Sequence, residues 1–336
     1  MRLPRFEYLK PASLEECLEA LKEDGERAGI LAGGTDLLVN MKQRVTCPDK
    51  IVSVRAIPEL RSISEDKEGN MHIGACVPLT ELVQNPLISE KLPALRDAVS
   101  SVASRHIRNM ATLGGNICLA TRCWYYNQSK LWRDSIEPCH RSGGSVCHDI
   151  SGAKRCHAIN NSDTAPILMA LDAEVRIRNM DRERVIPVRD FFRDSGDRHT
   201  VLGSDELLTS VTIPESASSG PALFMKVSDR KGLDFATGSI ASSIKRNGKQ
   251  ISGAVLVVNS IRSSPLILEK AAQTIMQNGL NDGAISDAAE IASSELGILG
   301  NLFTSAGYKR QIVGVLVKRA LNILKTRAKE KGRANR

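Results

Sequence analysis

Nowhere in the sequence do 18 apolar residues run together, the length a helix needs to cross a bilayer, so no membrane span is expected. The start, MRLPRFEYLKPASLEECLEAL, lacks an apolar core and a small-residue cleavage site. It does not read as a secretory leader, and the expected location is the cytoplasm, where thiols stay reduced. That argues against disulfides among the eight cysteines. Aromatic residues are scarce, 4% of the chain, and do not interleave with basic ones. Without a nucleic-acid motif beside it, the net charge of +8 does not point to DNA or RNA. Much of that charge sits in the terminal run KTRAKEKGRANR, six Lys or Arg against one Glu, which leaves about +3 for the rest. Hydrolytic signatures are missing too: no G-x-S-x-G, no H-E-x-x-H, and no Ser–His–Asp set at a workable spacing.

What is present is a chain long enough for two or three domains. Ser13 followed by Glu16 is a capping box, and Leu14, Leu18 and Leu21 fall on one helical face behind it. AGILA and KIVSV (50–54) read as strands around it, so residues 1–57 form a small α/β unit. Residues 58–215 mix a strand, NMHIGA, with helices in PLTELVQ, LPALRDAVSSVA and SDTAPILMALDA. Within that stretch, 121–160 is rich in Cys, His, Gly and Ser and has no periodicity, an irregular insertion of a length that is usually functional. A linker, PESASSGP, leads to residues 220–328, strands followed by helices, and then a basic tail at 329–336. The fold class is α+β.

Two glycine pairs stand out, AGGTDL and TLGGNI, each read as a loop. Glycines let a backbone approach a ligand, and loop N–H groups can cradle phosphate. Neither has the third glycine of a dinucleotide fingerprint or the lysine of a P-loop. Singly, each is an ordinary turn; together they suggest a diphosphate held between two loops.

The segments LAGGTDLLVNMK (31–42), ATLGGNI (111–117), NSDTAPILMALDAEV (161–175) and FMKVSDRKGLDFATGSIA (224–241) resemble, in order and spacing, the FAD subunit of molybdenum hydroxylases such as xanthine dehydrogenase and carbon monoxide dehydrogenase. The resemblance implies a two-subdomain FAD-binding fold of the PCMH type, followed by a C-terminal domain of a three-stranded sheet with helices. FAD would lie between the first two subdomains. Leu31, Ala32, Gly33, Gly34, Thr35, Asp36 and Leu37 would line its diphosphate and ribityl chain, and Val102, Ala103, Ala111, Thr112, Gly115 and Asn116 would form the second wall. Ser162 and Asp163 would reach it from a helix start, and Lys226 from the C-terminal domain. Asp163 also reads as a plain helix cap, and Lys226 as a surface lysine.

Half of the cysteines, Cys123, Cys139, Cys147 and Cys156, fall within 34 residues of the insertion. No two of these four lie two to four residues apart, so a zinc knuckle fits poorly. Four thiols on a loop without its own core point to a metal centre that stabilises it, and an iron–sulfur cluster tolerates wide ligand spacing. The insertion resembles that of the β subunit of 4-hydroxybenzoyl-CoA reductase. This implies a [4Fe–4S] cluster on those four cysteines in addition to FAD. Cys118 is read as packed beside FAD, Cys17, Cys47 and Cys76 as core or surface thiols, and His140, His148 and His157 as hydrogen-bonding or exposed. The insertion is expected to stand apart from the flavin.

The resemblance also implies partners: a molybdenum-cofactor large subunit, and a small subunit with two [2Fe–2S] clusters, in a heterotrimer commonly doubled to a heterohexamer. Ferredoxin or NAD would be the external electron carrier. Three readings compete: an electron relay in a 4-hydroxybenzoyl-CoA reductase-like enzyme; the FAD subunit of an NAD-linked xanthine, aldehyde or N-heterocycle dehydrogenase; and a non-enzymatic, zinc-stapled assembly protein.

Overall fold

The computed structural model describes residues 2–247, 250–302 and 304–334, with backbone alone for 328–334. The tip of the turn expected at Gly248 and Lys249 lies outside the described residues, as do the last two residues of the basic tail.

The first sheet is parallel, with β1 (Glu7–Leu9), β2 (Ala28–Leu31) and β3 (Lys50–Ser53) in the order β1-β3-β2. Parallel neighbours need a crossover, and the helix Leu14–Asp24 supplies one, burying Leu14, Cys17, Leu18 and Leu21. Ser13 Oγ accepts from Glu16 N at 3.2 Å. Glu16 reaches back one residue further than in the standard capping box, accepting from Ala12 N at 2.7 Å. The first glycine pair follows the carboxyl end of β2, where open parallel sheets place their ligands.

The second sheet holds β4 (Ile63–Glu65), β5 (Met71–Gly74), β6 (Glu174–Arg178), β7 (Glu183–Pro187) and β8 (Leu207–Ile213), all antiparallel, in the order β4-β5-β8-β6-β7. Helices Leu79–Gln84, Pro86–Lys91, Pro93–Ser100 and Thr164–Ala170 belong to its core; Ile73, Leu79, Leu95, Val99, Ile167 and Val211 are fully buried there. Each such side chain contributes roughly 1.5–3 kcal/mol of transfer free energy.

The third sheet, β9 (Ala222–Val227), β10 (Gly238–Asn247), β11 (Gln250–Asn259) and the two-residue edge strand β12 (Leu266–Ile267), runs antiparallel in the order β12-β11-β10-β9. Beside the three long strands expected, the sequence leaves β12 unmarked because two residues carry no alternation. Helices Glu269–Asn278, Asp282–Glu295 and Ala306–Ala334 follow. Strand alternation divides this sheet between two cores. Leu223, Ile240, Leu256 and Val258 join the C-terminal helices, while Phe224, Ala241 and Val257 join the core of the second sheet. Lys226 lies two residues beyond Phe224 and so shares its face, toward the second sheet.

Residues 121–160 form the irregular excursion expected. Its base is closed by a bridge between Arg122 and Ile159, each N–H donating to the other's carbonyl at 2.8 Å. Among the described residues, no helix is long and apolar enough to cross a membrane.

Candidate functional site

A cavity of about 980 Å³ lies where the two glycine segments face each other. Thirteen of the sixteen residues expected at a cofactor line it: Ala32, Gly33, Gly34, Thr35, Asp36, Leu37, Val102, Ala103, Ala111, Thr112, Gly115, Asn116 and Asp163. Leu31, Ser162 and Lys226 do not line it. Leu31 is paired in β2. Ser162 is fully buried behind the wall, donating to Asn116 Oδ1 at 2.9 Å and accepting from Ala165 N at 3.1 Å. Lys226 stops at Asp163, 2.7 Å away, and at the carbonyl of Ser101, 3.2 Å away.

The first glycine segment is shaped by its own packing. Gly34 holds φ +72°, a left-handed conformation that favours glycine. A Cβ on Gly33 would overlap the carbonyl oxygen of Met110, so Gly33 lets the two walls touch rather than only making room for a ligand. The second pair is not in a loop, as the sequence suggests, but in a short helix, Leu113–Ile117, capped by Thr112 Oγ1 accepting from Gly115 N at 3.1 Å. Threonine at an N-cap stabilises this turn despite two glycines inside it. Gly114 packs against Ala75, where a Cβ would come within 2.7 Å. Around Gly115, by contrast, a Cβ would meet only Thr112 Oγ1, at 3.0 Å. Ala103 is held at φ +44°, a strained value for a residue with a side chain.

Asn116 ties this wall to the next one. Its Oδ1 accepts from Ser162 Oγ, from Thr164 N at 3.1 Å and from Thr164 Oγ1 at 2.7 Å. That network presents Asp163, which is buried and whose carboxyl is pushed up to about 6 by burial, against the opposing pull of Lys226. Cys118 also lines the cavity, and burial pushes its thiol up to about 12.

Three further groups line the cavity without having been expected there. The insertion contributes Arg122, Tyr126 and Arg141; the segment before β8 contributes Asp197, Arg198 and Leu202; the loop between β9 and β10 contributes Arg230, Leu233, Asp234 and Phe235. The Arg141 guanidinium stacks 4.3 Å from the centroid of Tyr126 and donates to Thr121 O and Oγ1, both at 3.0 Å. The insertion, expected to stand apart from the flavin, thus lines the same cavity as the two glycine segments. Where the insertion meets the first glycine segment, Arg122 lies 86 positions from Asp36, and such contacts leave no mark on local pattern. Arg230 and Asp234 were within reach of sequence reasoning, since both lie in the segment 224–241 that carries the resemblance.

The four insertion cysteines are neighbours but are not gathered into a ligand set: among the described residues, no group of three or more His, Cys, Asp or Glu is placed to hold a metal ion. Cys139 bridges to Val146, beside Cys147. Cys123 lies within electrostatic range of Cys156, and Cys156 of Cys139. Burial pushes Cys123 up to about 11 and raises Cys156 as well. His140 and His148 spend their Nε2 atoms on the carbonyls of Ala153 and Glu137, at 2.9 and 2.7 Å.

The cavity suits a long cofactor. Its volume lies at the upper end of ligand pockets. Its lining includes a buried donor without a partner, Arg122 Nε, and a buried acceptor without one, Asp163 Oδ1. Unpaired buried polar atoms are costly unless a ligand satisfies them, and a cofactor bearing both ring carbonyls and an imide N–H can pair with both kinds.

Residues 4–216 match the FAD binding domain in molybdopterin dehydrogenase, and residues 224–324 match the CO dehydrogenase flavoprotein C-terminal domain. The carbon monoxide dehydrogenase medium chain of Hydrogenophaga pseudoflava is 26% identical over 319 residues, 95% of this chain and 96% of that one. The aldehyde oxidoreductase FAD-binding subunit of Escherichia coli (strain K12) is 31% identical over 278 residues, 78% and 83% of the two chains. A solved structure of carbon monoxide dehydrogenase from H. pseudoflava superposes with a TM-score of 0.80 over 97% of this chain and 99% of the other. Fold and cavity thus define a flavoprotein subunit. The chain belongs to the family of FAD-binding medium subunits of molybdenum hydroxylases, of the CO dehydrogenase and xanthine dehydrogenase type, and is an oxidoreductase subunit.

Proposed function

We propose that this chain is the flavin and iron–sulfur electron-transfer subunit of a cytoplasmic molybdenum-cofactor enzyme of the 4-hydroxybenzoyl-CoA reductase kind. It works beside a molybdenum large subunit and a small subunit with two [2Fe–2S] clusters, in a doubled heterotrimer, with a ferredoxin-like external carrier. Bound FAD supplies exchange between one-electron and two-electron carriers. The chain's own residues bind and orient it: the Gly33–Asp36 and Thr112–Asn116 walls grip it, and Asp163, anchored by Lys226, offers an acceptor. Cys123, Cys139, Cys147 and Cys156 are the proposed ligands of a [4Fe–4S] cluster.

The observation that carries this reading is the insertion itself: four thiols in 34 residues, on a loop pinned at its base and lining the cavity between the two glycine segments. Thiolate sulfur is the donor that iron–sulfur clusters use. The test is anaerobic preparation of this chain free of the small subunit, followed by iron, acid-labile sulfide and flavin analysis, with about four irons and four sulfides per flavin expected for one such cluster. A colourless protein with stoichiometric zinc would reject the reading.

A second reading keeps FAD and drops the cluster: the subunit of an NAD-linked dehydrogenase for an aldehyde, xanthine or N-heterocycle. The ungathered cysteines favour it. Flavin without iron, reduced on addition of NADH, would select it.

A further inference from the structure

Arg122 stands at a junction of three segments that are far apart in sequence. Its backbone closes the insertion, and its neighbour is Cys123. Its Nη2 donates to Asp36 Oδ1 on the first glycine wall, and its Nη1 reaches Asn40 Oδ1 at 3.3 Å. Its guanidinium lies 5.4 Å from the ring centroid of Phe235, on the loop between β9 and β10. Asp36, Arg122 and Phe235 all line the cavity. Asn127 continues the network, donating to Asn40 Oδ1 at 3.5 Å and accepting from Cys123 N at 2.9 Å.

The charges decide what this junction does. Asp36 is a carboxylate in the wall of a cavity that takes a cofactor with an anionic diphosphate. Unpaired, it would repel that ligand through a medium of low dielectric. Arg122 cancels the charge, and does so from the insertion. The pair is mostly shielded from water, with side chains 20% and 23% exposed, so solvent screens it only in part. The flat guanidinium can also stack on Phe235 while donating in its own plane, which a lysine cannot do.

We propose that Arg122 is a positioning residue for the flavin: it neutralises Asp36 and pins the Phe235 loop to the cavity wall, so that the cysteine-bearing insertion completes the cofactor site. The proposal rests on FAD occupying this cavity.

The test uses the full chain, titrated with FAD and followed by flavin fluorescence, with circular dichroism of the flavin-free protein as a check on folding. R122M leaves Asp36 uncompensated and should weaken FAD binding about tenfold or more. D36N removes the carboxylate and should keep or raise the affinity, and R122M/D36N should recover to within about threefold of wild type. A merely structural ion pair would instead make D36N and R122M fail together. Loss of affinity in D36N equal to that in R122M overturns the proposal, as does a double variant no better than R122M, or R122M indistinguishable from wild type. Should R122M not fold, the direction of the D36N effect decides alone. A wild-type chain that takes up no FAD removes the premise and the proposal with it; where wild type takes up FAD, any one of the three overturning outcomes sinks the proposal and leaves the flavin reading standing.

Discussion

The ammonium of Lys226, on the first strand of the C-terminal sheet, lies 2.7 Å from Oδ2 of Asp163, in the wall of the cavity between the two glycine segments. Both side chains are nearly buried, 10% and 6% exposed. One ion pair therefore joins the C-terminal domain to the site, and Asp163 is left with a second oxygen for a ligand.

Lys226→Met should expose the cost of that arrangement. A buried carboxylate deprived of its partner is destabilising by about 3–5 kcal/mol. Urea unfolding of the variant is expected to show a loss in that range, and K226M/D163N should restore much of it. Equal losses in the single and double variants would count against the pair.

The pH dependence has a defined sign. In the folded chain Asp163 titrates near 6, above its ordinary value of 3.8, so the folded state binds more protons between those values. The stability it contributes is complete below about pH 3.8 and is lost as pH rises through about 6. Asp163→Asn should remove this slope. The measurement is the difference in urea midpoint between wild type and D163N from pH 4 to 7.

The two glycine walls should fail differently. Gly33→Ala sets a methyl against the Met110 carbonyl, an overpacking cost of roughly 1–3 kcal/mol. Its unfolding midpoint should drop along with its flavin content. Gly115→Ala meets only the Thr112 hydroxyl, so the fold should survive while FAD affinity falls. A thermal melt beside a flavin titration separates the two.

Cys139→Ser is expected to remove iron and sulfide from the anaerobically prepared protein. Because Tyr126 and Arg141 of the same insertion line the cavity, flavin content should fall as well, by less than the iron. Iron and sulfide equal to wild type in this variant would show that Cys139 is not a ligand.

Much of the site was legible because its parts are local. Gly33, Gly34, Thr35 and Asp36 are consecutive, as are Thr112 to Asn116, and a close-approach motif announces itself over four or five residues. Lys226 and Ser162 do not themselves line the cavity but hold residues that do, Asp163 and Asn116, since a motif indicates proximity but not what a side chain bonds first. The helix around Gly114 and Gly115 was missed because its stability comes from the Thr112 cap and from packing on Ala75, not from propensity.

The sequence by itself determined the first β-α-β unit, the two glycine segments, the crowding of thiols in one insertion and the class of cofactor. Each of these depends on near neighbours along the chain or on motifs that survive without coordinates. Only the tertiary structure decided that the insertion lines the same cavity as the glycine segments, that Arg122 reaches both Asp36 and Phe235, and that alternate faces of one sheet serve two cores. Arg122 lies 86 positions from Asp36, and which such groups meet is set by how the sheets pack, a property of the whole chain that no local pattern encodes.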